Sequence, residues 1–592
     1  MKQKTCMKFF PVFICLALLA AWVLAAAACG PKAGAKEPGK TVPEKVVAYT
    51  GPKVDDWQFT GPAPAVEEEM KMAPMPSMAP SMAPPAAAPA QLGFSVGGAK
   101  DINNFRENIA NNYLPTPTDI TYEGLFYDYT FDTGKTETCK KLFCASYSYA
   151  VSRDPISKTS DVYLSVGLNS GIKESDFQRK KLNLVIVLDI SGSMGSPFDR
   201  YYYDQFGNQH EVEGADEGGA SKLQIAAESI AALLDHLKPG DSFGMVLFDD
   251  ASYLAKPLSP VERTDMEKIK EHVKALIPCR GTNMQAGMNE GTALFEALSG
   301  VDFSEYENRI IFLTDAMPNL GDTSEGGLRH MMAANAEHKL YTTFIGMGVD
   351  LNTELIEVIT KIRGANYYSV HSSKEFKKRM DEEFEFMVTP LVFNLQLKLE
   401  AEGYKIEKVY GSPEANEATG EIMKVNTLFP SKTEAGETRG GLVLLRLKKV
   451  SSSPSLTLKV SYEDRKGVTD GDEKKIKIPD KDKDVYPNTG IRKGILLSRY
   501  ADLVKDWIID ETGSYKENKP LQPSVDAQRG IVVPDAAVLS KWERQSIPLR
   551  VSDAYKKLFG DFKTYFGAEM KAIGDGTLDK ELKVLDKLIN FK

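Results

Sequence analysis

The stretch Leu184-Val185-Ile186-Val187-Leu188-Asp189-Ile190-Ser191-Gly192-Ser193-Met194 constrains this chain more than any other. Its unbroken apolar run predicts a buried strand, and the run stops abruptly at an acid and two serines. Such a strand delivers one carboxylate and two hydroxyls to a tight loop at the carboxyl edge of a sheet, where open α/β folds bind ligands. Hard oxygen donors of this kind cradle a divalent cation. Taken alone, the motif also reads as a helix cap at Asp189 followed by a Ser-Gly-Ser turn.

Two further stretches bear on the choice, Arg280-Gly281-Thr282-Asn283 and Phe312-Leu313-Thr314-Asp315. Together with the first they resemble the metal-ion-dependent adhesion site of von Willebrand factor type A domains. That resemblance implies a ligand set of Asp189, Ser191, Ser193, Thr282 and Asp315, with Ala316 standing where relatives often carry glycine. Two serines, a threonine and two aspartates suit octahedral Mg²⁺ or Mn²⁺; Ca²⁺ fits less well and zinc poorly. The resemblance also implies that hydroxyls bind directly while the aspartates act partly through water. An ion held mostly by neutral ligands keeps positive charge to offer an Asp or Glu carboxylate from a protein partner.

Around this motif, residues 181–390 alternate strand and helix signals. Ser221 to Leu237 has helical spacing and stops at Pro239-Gly240, and strands are expected at 243–248, 309–314, 342–346 and 366–370. The pattern predicts a doubly wound, Rossmann-like domain. Both flanks carry period-two alternation: Tyr147/Tyr149/Val151 and Val162/Leu164/Val166/Leu168 before it, Phe393/Leu395/Leu397/Leu399 and Leu456/Leu458/Val460/Tyr462 after it. Neither flank alone makes a good sandwich. The expected fold class is therefore α/β plus β, a type A domain inserted into one β-sandwich built from residues 93–180 and 391–485, with a helical region over 486–592. Residues 101–131, with an Asn-x-Arg helix, a Leu-Pro-x-Pro turn and an aromatic strand, resemble the segment preceding the A domain in bacterial A-domain lipoproteins.

The N-terminus sets Lys2, Lys4 and Lys8 before an apolar run from Phe9 to Ala28, and then Cys29. This reads as a secretory signal over 1–28, and small residues directly before a cysteine resemble a lipobox, although Ala26 stands where leucine is commonest. Cys29 would carry the lipid, and an uncleaved membrane anchor is the alternative. Residues 29–92, rich in Pro, Ala and Met, predict a disordered tether with a reach above about 100 Å. The implied location is the bacterial cell envelope, periplasmic or surface-exposed. In an oxidising compartment Cys139 and Cys144 could close a small loop, with Cys279 left as a structural thiol.

With 592 residues and a net charge of −9 the chain has room for several domains but no basic surface for nucleic acid. An insertion after Met194 carries Tyr201, Tyr202, Tyr203 and Phe206 on the metal face. Exposed aromatics would form a partner-recognition loop; the alternative is that they pack down on the domain. HExxH and GxSxG motifs are both missing from the sequence, and its six histidines are scattered. The expected function is therefore non-enzymatic: adhesion or scaffolding through a shared divalent ion. A structural or regulatory envelope protein with a fold-stabilising metal, and a metal-dependent hydrolase, are the competing readings.

Overall fold

The computed structural model describes residues 49–61, 91–96, 102–196 apart from 116 and 118, 201–203, 209–211, 220–315 apart from 280 and 299–304, 325–347, 362–370, 373–478 apart from 413, 414, 435 and 453, 484–518 and 547–592. The predicted signal, Cys29 and Phe206 lie outside the described residues.

The strand Lys181–Asp189 is buried from Leu182 onward. It lies inside a six-stranded sheet whose order is Ser252–Pro260, Ser242–Phe248, Lys181–Asp189, Tyr306–Thr314, Leu340–Met347 and Asn366–Val370. All neighbours are parallel except the first pair, which is antiparallel. Alternate side chains feed two cores. Leu184, Ile186 and Leu188 join Leu223, Ile230 and Phe376 on one face, and Val185 and Val187 join Met284, Met288 and Met332 on the other. Helices thus cover both faces, which explains the continuous apolar run. From the central strand the chain moves first to one side of the sheet and then back to the other. The ends of Lys181–Asp189 and Tyr306–Thr314 therefore flank a topological switch point.

The antiparallel edge strand Ser252–Pro260 was not expected. Lys256 and Pro257 interrupt its apolar pattern, and an edge strand tolerates proline because one side of its backbone needs no ladder partner.

Both flanks enter a second, nine-stranded antiparallel sheet. Gln91–Val96 and Ser160–Lys173 come from the N-terminal side and pair with Glu421–Ser431 and Leu442–Lys449 from the C-terminal side. The expectation of a two-sheet sandwich is corrected here to one sheet curled on itself. Phe143 precedes a strand five pairings away from Ser455–Glu463, about 24 Å in a flat sheet, yet its ring lies 5.7 Å from that of Tyr462. Lys474 Nζ, one strand further on, donates to Ala145 O at 3.1 Å. Curling encloses Leu164, Val166, Leu395, Leu397, Leu445 and Leu458 in a single core.

A fourth core joins the helix Asn103–Ala110 to Thr489–Asn518, Asp553–Ile573 and Asp579–Ile589, around buried Trp507, Phe559 and Leu585. Cys139 and Cys144 are joined by a disulfide with Cα atoms 5.8 Å apart.

The tether expectation is corrected at residues 49–61. Val54 bridges Thr264, Gln58 N donates to Ala255 O at 2.8 Å, Trp57 stacks on His272 with centroids 5.2 Å apart, and Phe59 meets Tyr253 edge-on at 5.4 Å. Two large aromatics and two acids within five residues, Asp55 to Phe59, supply the contacts that the surrounding Pro, Gly and Lys cannot. Its far boundary also moves, because the strand of the large sheet begins at Gln91.

Candidate metal centre

Three loops converge at the carboxyl ends of the central strands. The first leaves Lys181–Asp189 and turns into a short 3-10 helix, Gly192–Gly195. Asp189 is fully buried. Its Oδ1 accepts from Ser191 N at 2.8 Å and its Oδ2 from Thr314 Oγ1 at 2.7 Å. The hydroxyls of Ser191 and Ser193 lie 3.1 Å apart. Asp189 therefore shapes its own loop and ties it to the neighbouring strand, leaving two hydroxyls side by side.

The second loop carries Thr282, which is 2% exposed. Cys279 N donates to Ile190 O and Asn283 N to Asp249 O, each at 2.6 Å, so this loop is stitched to the ends of two strands. Asn283 caps the helix Met284–Ala293. That helix approaches the sheet closely at Gly287 and Gly291, where an added Cβ would stand 2.7 Å from Phe248 Cδ1 and 2.6 Å from Val187 Cγ2. Glycine at both positions lets the helix, and Thr282 ahead of it, sit down on the sheet.

The third loop leaves Tyr306–Thr314 and places Asp315, also fully buried, beside the first. Asp315 Oδ2 accepts from Lys222 Nζ at 3.2 Å, whereas Asp315 Oδ1 is buried without a hydrogen-bond partner. Burial and the nearby Asp315 charge push the Asp189 carboxyl up to about 7, against the opposing effect of hydrogen bonds from Ser191 and Thr314. Two close, buried acids, only one of which is paired with Lys222, make a place where further positive charge is stabilised.

The donor set fits a small hard cation. It offers hydroxyl and carboxylate oxygens, and the Asp315 oxygen left without a partner is an acceptor in need of a donor or an ion. No group of three or more His, Cys, Asp or Glu side chains suited to a metal occurs among the described residues. An ion at the three loops would thus depend on Ser191, Ser193 and Thr282 as much as on acids.

Sequence reasoning missed Lys222. Its signal was present in Ser221-Lys222-Leu223-Gln224, a helix start with a basic residue where acids are favoured. Of the proposed recognition loop, Tyr201–Tyr203 pairs with Gln209–Glu211 as a two-stranded ribbon. Its base is closed by Lys222 N donating to Ser196 O at 3.0 Å.

Inter-alpha-trypsin inhibitor heavy chain H1 of Mesocricetus auratus is 23% identical over 310 residues, covering 51% of this chain and 29% of that protein. Heavy chain H4 of Homo sapiens is 22% identical over 219 residues, covering 36% and 20% respectively. The chain thus spans less than a third of the length of either relative. Among solved structures, a von Willebrand factor type A protein from Catenulispora acidiphila is 14% identical with a TM-score of 0.34, covering 58% of this chain and 74% of that one. BatB from Bacteroides thetaiotaomicron is 22% identical with a TM-score of 0.26, covering 35% and 98%. Residues 184–317 match the family model for the von Willebrand factor type A domain. That span runs from the central strand of the six-stranded sheet to just past Asp315, and this unit of the chain is a von Willebrand factor type A domain.

Proposed function

We propose that the chain is an envelope-anchored, non-enzymatic binding protein whose type A domain engages a carboxylate of a protein ligand through Mg²⁺ or Mn²⁺. The observation that carries this reading is the buried, partnerless Asp315 Oδ1 beside the paired hydroxyls of Ser191 and Ser193 at the switch point. Bound there, the ion would supply a positive centre for an Asp or Glu side chain. Ser191, Ser193 and Thr282 would hold it directly, and Asp189 and Asp315 would orient those hydroxyls and balance the charge. Asp189 is committed to Ser191 N and Thr314 Oγ1, which suits it to positioning the first loop. The ribbon of Tyr201–Tyr203 and Gln209–Glu211 belongs to the insertion that follows Ser193 and precedes Lys222 in the sequence, and it would select the partner.

Anchoring through a lipid on Cys29 belongs to the same proposal. No helix among the described residues is long and apolar enough to cross a membrane.

The test pairs calorimetric Mg²⁺ and Mn²⁺ titration with affinity capture from envelope extracts, for the wild type and a folded Ser191→Ala/Ser193→Ala variant. Wild type should bind the ion and retain a partner that EDTA releases, and the variant should do neither. Ion binding that raises the melting temperature with no metal-dependent partner would favour a fold-stabilising metal instead.

A further inference from the structure

Lys222 occupies a position that three physical preferences oppose. It is 1% exposed, whereas lysine is almost never fully buried unless paired. It is the first residue of the helix Lys222–Leu234, where the helix dipole disfavours a cation. No acid occupies that first turn to offset it. Its helix has no need of the side chain, because Ser221 and Gln224 already form a reciprocal capping box. An ion pair with Asp315, at 3.2 Å between two buried groups, compensates this placement.

We propose that Lys222 is a built-in counter-ion of the metal centre, holding Asp315 in position when the ion is absent and weakening the ion's binding when it is present. The proposal rests on the metal reading above and deepens it. Without an ion, two buried carboxylates would face one another with little compensation, and the loops carrying them would be pushed apart. The Lys222 ammonium cancels one of these charges from a helix start that is itself pinned to the first loop through Ser196. The three loops then stay assembled, with Asp315 Oδ2 held by the lysine and Oδ1 left without a hydrogen-bond partner. A divalent ion entering this preformed site meets a carboxylate already shared with a cation and a like charge close by. Its affinity is lowered, while the loops need no reordering to accept or release it. The site would follow the ion concentration reversibly instead of holding one ion permanently.

The experiment measures Mn²⁺ binding by calorimetry and thermal midpoints in EDTA for the full chain, as wild type, Lys222→Met and Lys222→Arg. Methionine keeps the length of the stem and the helix propensity while removing the charge. Lys222→Met should bind Mn²⁺ at least about tenfold tighter, or ~1.4 kcal/mol. Its midpoint in EDTA should fall below that of wild type and recover when Mn²⁺ is added. Lys222→Arg, which keeps the charge, should stay near wild type. If Lys222→Met does not fold, Lys222→Gln takes its place. Equal or weaker Mn²⁺ affinity in a folded neutral variant overturns the counter-ion role while leaving the metal reading intact. Absence of Mn²⁺ binding in both wild type and neutral variant overturns the metal reading and the proposal together. Binding by the neutral variant alone supports the proposal, with the lysine then blocking the site outright.

Discussion

Lys256 is completely buried at the edge of the type A domain. Its ammonium donates to Phe243 O at 2.8 Å and Ser259 Oγ at 2.7 Å, and lies 3.1 Å from Asp56 Oδ2. Burial pulls its pKa down, and the Asp56 charge opposes that pull. Asp56→Ala would leave the cation without its counter-charge. The expected loss is about 3 kcal/mol, at the low end for a broken buried pair because Asp56 is partly exposed; a lower urea midpoint reads it out. Asp56→Asn combined with Lys256→Met should recover most of that loss, since replacing both charges removes the uncompensated ion. Thr314→Val, which strips the donor from Asp189 Oδ2, should cost about 1–3 kcal/mol and weaken Mn²⁺ binding in the same calorimeter. The five candidate ligands were legible because a motif names residue types in order. Asp56, Lys222 and Thr314 were not, because their importance lies in partners 200, 93 and 125 residues away.

Among the elements, the helices were easier to read than their partners. Leu496, Tyr500 and Trp507 mark one buried stripe and Leu578, Leu585 and Leu588 another, and both face the helical core. Periodicity reports a buried face and is silent on what covers it. Here the N-terminal helix Asn103–Ala110 reaches the C-terminal helix Asp579–Ile589 through Arg106, which pairs with both Asp128 and the fully buried Glu581. Glu581 also accepts from Tyr129 at 2.8 Å. Glu581→Ala should destabilise the chain by about 3–5 kcal/mol, because the largely buried Arg106 would lose one of its carboxylate partners; guanidinium melts check this. The ribbon at Tyr201–Tyr203 sets a contrasting expectation. Replacing its three tyrosines with serine should weaken partner capture while the chain still folds. The curl of the large sheet escaped sequence reading because alternation gives which face of each strand is buried and not how far the sheet bends.

At the scale of the whole molecule, polar contacts fasten the type A domain to the curled sheet. Glu307 Oε2 accepts from Arg465 at 2.5 Å and Glu463 Oε1 from Arg363 at 2.5 Å, while Gly364 N donates to Thr427 Oγ1 at 2.7 Å. Arg363→Ala/Arg465→Ala should split a single calorimetric unfolding transition into two, because contacts between the units sustain joint melting. The insertion was visible from the sequence, since each flank held too few alternating runs for a layer of its own. Its geometry has a mechanical meaning. The chain enters the type A domain from Ser160–Lys173 and leaves it into Val392–Glu402, and two other strands of the same sheet stand between them. A pull on a ligand held at the loop face would pass through two covalent attachments, on strands whose axes lie about 14 Å apart in a flat sheet. Two fixed points resist swivelling where one would act as a hinge, so the domain is mounted as a bracket and not as a pendant, and tension would reach the long strands of the sheet along both attachments at once.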